Sequence, residues 1–95
     1  MITIIAKCTA KIGAEERLKE LALELVNESR RESGNVSYDF YENLSSPSKF
    51  TFIECWESEK AIDSHNASSH FINFGKKAGP LFDGDLDIAL YNKIS

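Results

Sequence analysis

The chain has 95 residues, 42% hydrophobic and 27% charged, with a net charge of −4. That make-up fits one globular domain over residues 1–95, without the length for a second core. No run approaches the ~20 apolar residues of a membrane helix. The basic residues are scattered, pairing only at Arg30-Arg31 and Lys76-Lys77, which argues against nucleic acid as a partner.

Residues 2–10, "ITIIAKCTA", are rich in β-branched side chains and put Ile2, Ile4, Ala6 and Cys8 on one face of a strand. After a "KIG" turn, Leu18, Leu21, Ala22, Leu25 and Val26 form the stripe of an amphipathic helix over 14–33. Gly34 stands where a left-handed residue would end that helix. Arg30 and Arg31 stand where they would complement the last turn. Residues 36–44 alternate as a second strand with Val36, Tyr38 and Phe40 on one face. "SSPS" makes the turn, and "KFTFIECWE" at 49–57 returns as a third strand. Ser58 is placed to cap a short helix over 59–66, and Ser68 or Ser69 a further one running to about residue 78. "GP" at 79–80 stops it, and residues 85–93 form a last strand. The order β-α-β-β-α-α-β and the right-handed crossover rule predict an α+β, ferredoxin-like split βαβ sandwich with a four-stranded antiparallel sheet.

The second face of that sheet carries Ile5, Tyr41, Ile53, Cys55, Ala89 and Tyr91. A sheet with one face in water alternates more cleanly. The simplest cover is a second copy of the sheet, so the chain is expected to form a homodimer.

The chemistry concentrates in "FIECWESEKAIDSHNASSHF", residues 52–71. Glu54 and Trp56 share a strand face with Phe50 and Phe52. Glu54 is therefore either a carboxylate desolvated among aromatic rings, with a raised pKa suited to acid–base work, or an edge residue paired with a lysine or a backbone amide. Trp56 suits helix–sheet packing and, at a pocket mouth, offers a stacking wall and one N–H donor. His65 and His70 are the only histidines. On a straight helix a five-residue spacing turns them roughly 140° apart, against ~40° for the i, i+4 pairs that share an ion. No metal is expected. Singly, each histidine is either a surface residue or helix-end cap, or, for His65 at the end of the short helix, a group that leans back over the sheet toward Glu54 and Trp56, where a neutral imidazole accepts a proton from an acidic hydroxyl. Cys8 and Cys55 lack CxxC or ligand spacing and fall on opposite strand faces, which excludes a mutual disulfide. There is neither a GxGxxG nor a P-loop, so no nucleotide cofactor is expected. "MITIIAKC" is too short and unflanked for a signal peptide, and the expected address is cytoplasmic.

These residues resemble the antibiotic biosynthesis monooxygenase (ABM) family. The match lies in E-x-W-x-[ST] at Glu54–Ser58, a short helix ending in His65, and a [ST]-x-H-[FY]-like step at His70. "ESGNVSYDFYENLSSPSKF" is similar to the family's E-x-G helix exit and hairpin, and "MITIIAKCTAKIGAEERLKELALEL" to its opening strand, turn and helix. The resemblance implies a dimeric α+β barrel and a cofactor-independent monooxygenase acting on a quinol or related electron-rich phenol with O2. Carried onto this chain, it makes His65 the base, Glu54 its tuning partner, and Trp56, His70, Phe74 and Tyr38 the substrate wall. Two alternatives stand beside it: an isomerase of a small dicarbonyl, phosphorylated or not, with Lys7, Lys49, Lys76 or Lys77 to meet a phosphate in the first case, and a non-catalytic barrel that binds a small molecule. The haem-degrading branch of the family has an asparagine on its first strand, where this chain has Cys8 or its neighbour, so that activity is disfavoured.

Overall fold

The computed structural model describes residues 1–95. Its elements are β1 (Ile2–Thr9), α1 (Glu15–Ser29), β2 (Asn35–Glu42), β3 (Lys49–Trp56), α2 (Glu59–Asn66), α3 (Ser69–Ala78), a 3-10 turn (Gly79–Leu81) and β4 (Asp87–Tyr91). All pairings in the sheet are antiparallel, and the strand order is β2-β3-β1-β4. The expected α+β sandwich is therefore the fold. Every second residue of β1 and β3 is buried under the helices: Ile4, Ala6 and Cys8 on one strand, Phe50, Phe52, Glu54 and Trp56 on the other.

The core divides into two adjoining groups. Around Cys8 and Phe50, Leu18 and Leu21 of α1 pack with Ala78 of α3. Toward the other end of β3, Ala22, Leu25 and Val26 of α1 meet Tyr38, Phe52, Trp56 and Ile62. Burying these side chains, at roughly 1.5–3 kcal/mol for each large one, is what ties the helix layer to the sheet.

The caps expected from the sequence are in place. Ser58 Oγ accepts from Ala61 N at 3.1 Å, and Ser68 Oγ accepts from Phe71 N at 3.3 Å. The hairpin is held by Asn43, whose Oδ1 accepts from Ser45 N and Ser46 N. Cys8 and Cys55 are both free and lie on opposite faces.

Three local expectations fail. The first helix ends at Ser29, four residues early: Arg30 caps it with a last bond from its N–H to Val26 O, while its side chain reaches across to Tyr38 O at 3.0 Å and Asp39 at 3.0 Å. Neither arginine then sits in the last turn. Gly34 does not have a positive φ; only Gly13 and Gly84 do. What Gly34 provides is space, since a Cβ there would collide with the Cβ of Ala61 on α2. Finally, Val36 does not join Tyr38 on the core face. Asn35 opposes Trp56 and Ser37 opposes Cys55, so Val36 is the extra residue of a bulge and is 47% exposed.

On the sheet's second face the register aligns Ala89, Ile5, Ile53 and Asp39 in one row, flanked by Tyr91, Cys55 and Tyr41. No element of the chain covers them, and Tyr41, Ile53 and Tyr91 stand exposed.

Candidate functional site

Between the sheet and the α2–α3 pair lies a cavity of about 710 Å³. Its floor is Ile4 and Ala6 of β1, Phe52 and Glu54 of β3 and Tyr38 of β2. Ile62 and His65 of α2 and Phe71 and Phe74 of α3 form the opposite wall, and Ile88 and Leu90 of β4 form the rim. The cavity exists because α1 covers the β2–β3 half of the sheet, while β4 at the other edge has no helix above it. Its polar groups are Glu54, Glu59, Asp63, His65 and Asn66. No lysine or arginine lines it.

Glu54 is not an edge residue. It lies between Ile4 and Tyr38 in the ladder and is 6% exposed. Trp56, two residues on and wholly buried, points its indole the same way and donates Nε1–H to Glu54 Oε1 at 3.0 Å. Burial pushes the Glu54 carboxyl up to about 7. Hydrogen bonding from Trp56, and more weakly from Tyr38, opposes the rise, while the charge of Glu32 adds to it. Near neutral pH this carboxyl is both a proton donor and a proton acceptor. The Tyr38 phenol is pushed far above its usual range by burial and by Glu54, so it stays protonated as a donor.

His65 ends α2 and is 2% exposed. It lies over Trp56 with ring centroids 4.6 Å apart, beside Tyr38 at 5.4 Å and Phe71 at 4.8 Å. Burial lowers its pKa, and Glu32 offsets part of that, so the ring is neutral at pH 7. Its Nδ1 is 2.6 Å from Glu32 Oε2, and its Nε2 is buried without a partner.

Four of the six residues singled out from the sequence line the cavity: His65, Glu54, Phe74 and Tyr38. Trp56 stands behind it and acts through Glu54 and the His65 ring. His70 is not on the cavity wall. The break at Ala67–Ser68 turns it toward Glu32, with Nε2 2.9 Å from Oε2, and it faces a small cleft between α1 and α3. Glu32 is the residue that sequence spacing missed, because it is 33 positions from His65. Its one signal was the E-x-G at 32–34, where Gly34 brings the turn against α2. Together Glu32, His65 and His70 form a set of three groups whose nitrogen and oxygen atoms lie within 4.8 Å of one another.

A small α+β fold whose sheet and helices enclose a carboxylate, an indole and an imidazole belongs to a known class. The family profile described as antibiotic biosynthesis monooxygenase matches residues 1–77. The chain belongs to this family. It is 34% identical over 88 residues to the Bacillus subtilis protein named "Putative monooxygenase YcnE", covering 93% of each chain. It is 29% identical over 80 residues to the Mycobacterium tuberculosis protein named "Putative monooxygenase Rv0793", covering 84% of this chain and 78% of that one. Among solved structures, an antibiotic biosynthesis monooxygenase superposes with a TM-score of 0.95 at 28% identity, with both chains fully covered. PA3566 from Pseudomonas aeruginosa superposes with a TM-score of 0.93 at 29% identity, covering 99% of this chain and 94% of that one.

Proposed function

We propose that the protein is a cofactor-independent monooxygenase that oxidises a quinol or related electron-rich phenol with O2. The observation that carries this reading is the lining of the cavity. Twelve of its eighteen residues are hydrophobic, and its lining includes an imidazole whose Nε2 has no partner and one carboxyl poised near neutrality, with no cation. Such a space accepts a neutral aromatic ring, which would displace water from it. His65 takes the phenolic proton on Nε2. The resulting anion is electron-rich enough to pass one electron to O2, and the two radicals join in a C–O bond. The peroxide takes back a proton, with Glu54 the nearest neutral acid in the lining, and loses water. The sum is quinol plus O2 giving hydroxyquinone plus water, with all four electrons supplied by the substrate. The protein contributes a base, a dry cavity and orientation.

The isomerase reading is disfavoured by charge. Glu59 and Asp63 line the cavity, whereas Lys7, Lys49, Lys76 and Lys77 do not, so a phosphorylated dicarbonyl would find no cation there to offset its charge. A binding-only barrel would use the same cavity, and turnover is what separates it from the enzyme.

The same reading includes a symmetric pair of chains, joined through the apolar row of Ile5, Ile53 and Ala89 with Tyr41 and Tyr91. Oxygen uptake with benzo- and naphthoquinols, run without metal or flavin, tests the chemistry. The expected result is one O2 consumed per quinol and one 18O atom from 18O2 in the product. Uptake no faster than the uncatalysed rate across the panel rejects it.

A further inference from the structure

Glu32 lies outside the cavity, yet it makes the one hydrogen bond of the His65 ring. It occupies the turn between α1 and β2, and one oxygen, Oε2, faces His65 Nδ1 at 2.6 Å and His70 Nε2 at 2.9 Å. A carboxylate offers only lone pairs, so each ring nitrogen that faces it carries a proton. In a neutral imidazole, a proton on Nδ1 leaves the lone pair on Nε2, and Nε2 is the atom that is buried without a partner.

We propose that Glu32 is the positioning residue of His65: it fixes the imidazole in the Nδ1–H tautomer and so leaves the lone pair on Nε2, a buried atom that becomes the acceptor of a substrate hydroxyl once the ring swings it toward the cavity, while His70 holds the carboxylate from the other side. The inference rests on the assignment of His65 as the base. When the substrate O–H bond breaks and the Nε2–H bond forms, the imidazolium has a carboxylate 2.6 Å from its other nitrogen. The new charge is thus paired where it arises, and no second proton moves. The elements reinforce the geometry. Glu32 is on a turn, His65 ends one helix and His70 begins the next, so the hydrogen bond to the ring is held by three separate segments.

Two histidines and a carboxylate are also a metal donor set. The proposal takes the hydrogen-bonded reading, and the cobalt titration below separates it from the metal one. Ligand atoms 2.0–2.2 Å from one ion, at ordinary angles, stand about 3.0–3.5 Å apart. Contacts of 2.6 and 2.9 Å to a single shared oxygen are hydrogen-bond lengths.

The test is nuclear magnetic resonance on the full chain labelled with 15N-histidine at pH 7.5, followed by titration with Co2+. The expected result is His65 protonated on Nδ1 in the wild type, loss of that preference in Glu32→Ala, and no cobalt ligand-field band. His65 protonated on Nε2 in the wild type overturns the proposal, and this measurement does not depend on the variant folding. A tautomer unchanged in folded Glu32→Ala also overturns it, as does stoichiometric Co2+ binding that Glu32→Ala abolishes. On any quinol the wild type consumes, Glu32→Gln should lower kcat about 10- to 1000-fold with little change in KM. A purely structural role would instead lower stability and leave the kcat of the folded fraction unchanged. If no quinol is consumed, the proposed reaction fails while the tautomer result stands on its own.

Discussion

Trp56 donates its indole N–H to Glu54, two residues earlier on the same strand, at 3.0 Å. The strand's alternation puts both side chains on the helix-covered face, and the bond gives a buried carboxyl one strong donor in an otherwise apolar setting. Replacing Trp56 by Phe should remove that donor and much of the plate beneath His65. The expected cost is about 1–3 kcal/mol in a denaturant titration. Carboxyl 13C shifts of Glu54 should then titrate above 7, because the hydrogen bond that opposed the effect of burial is gone.

Glu54 also predicts a pH signature of stability. Its carboxyl is raised from 4.5 to about 7 in the fold, so between those values the folded chain holds a proton that the unfolded chain has lost. Stability therefore falls as pH rises through this window, by an amount on the order of 2–3 kcal/mol. His65 acts in the opposite sense. Its pKa is lowered by burial, so the unfolded chain takes up a proton first as pH drops below about 6.5. Comparing wild type with Glu54→Gln isolates the carboxyl: the variant should gain on the wild type steadily from pH 4.5 to 7. A constant difference across that range contradicts the assignment.

Gly34→Ala should cost about 1–3 kcal/mol by thermal or urea unfolding, because the added Cβ meets the Cβ of Ala61, which has no torsion to turn aside. Relief requires α2 to shift, and α2 carries His65. The same variant should therefore lose activity in its folded fraction.

Ile53 sits in the middle of the uncovered sheet face, opposite Ile5. In sedimentation equilibrium at micromolar concentration the wild type should run as a dimer and Ile53→Lys as a monomer. A wild-type monomer at that concentration contradicts the paired arrangement.

The strand alternation and the stripe at Leu18, Leu21, Ala22, Leu25 and Val26 made the layers legible in the sequence, since both are local periodicities that burial enforces. Glu54 and His65 were legible because each is close in sequence to the element that positions it. The partner of His65 was not. Glu32 reaches it only because α1 ends at Ser29 and the chain turns there, where the Arg30 side chain ties the turn to Tyr38 and Asp39 on the next strand. The placement of His70 was missed for a related reason. A straight-helix rotation separated the two imidazoles, whereas the caps at Ser58 and Ser68 divide the segment into two helices that turn both toward one oxygen. Tertiary contacts of this kind leave no periodic trace in a single sequence.

The central claim is that His65 and Glu54 move the protons of an oxidation carried out in the cavity between them. Its most direct measurement is steady-state oxygen uptake by wild type, His65→Ala and Glu54→Gln on the same quinol, with chelator present and flavin absent. The expected result is turnover by the wild type, a loss of about 10²- to 10⁴-fold in kcat for His65→Ala, and for Glu54→Gln the disappearance of an inflection near pH 7. Wild-type kinetics retained by both variants would contradict the claim.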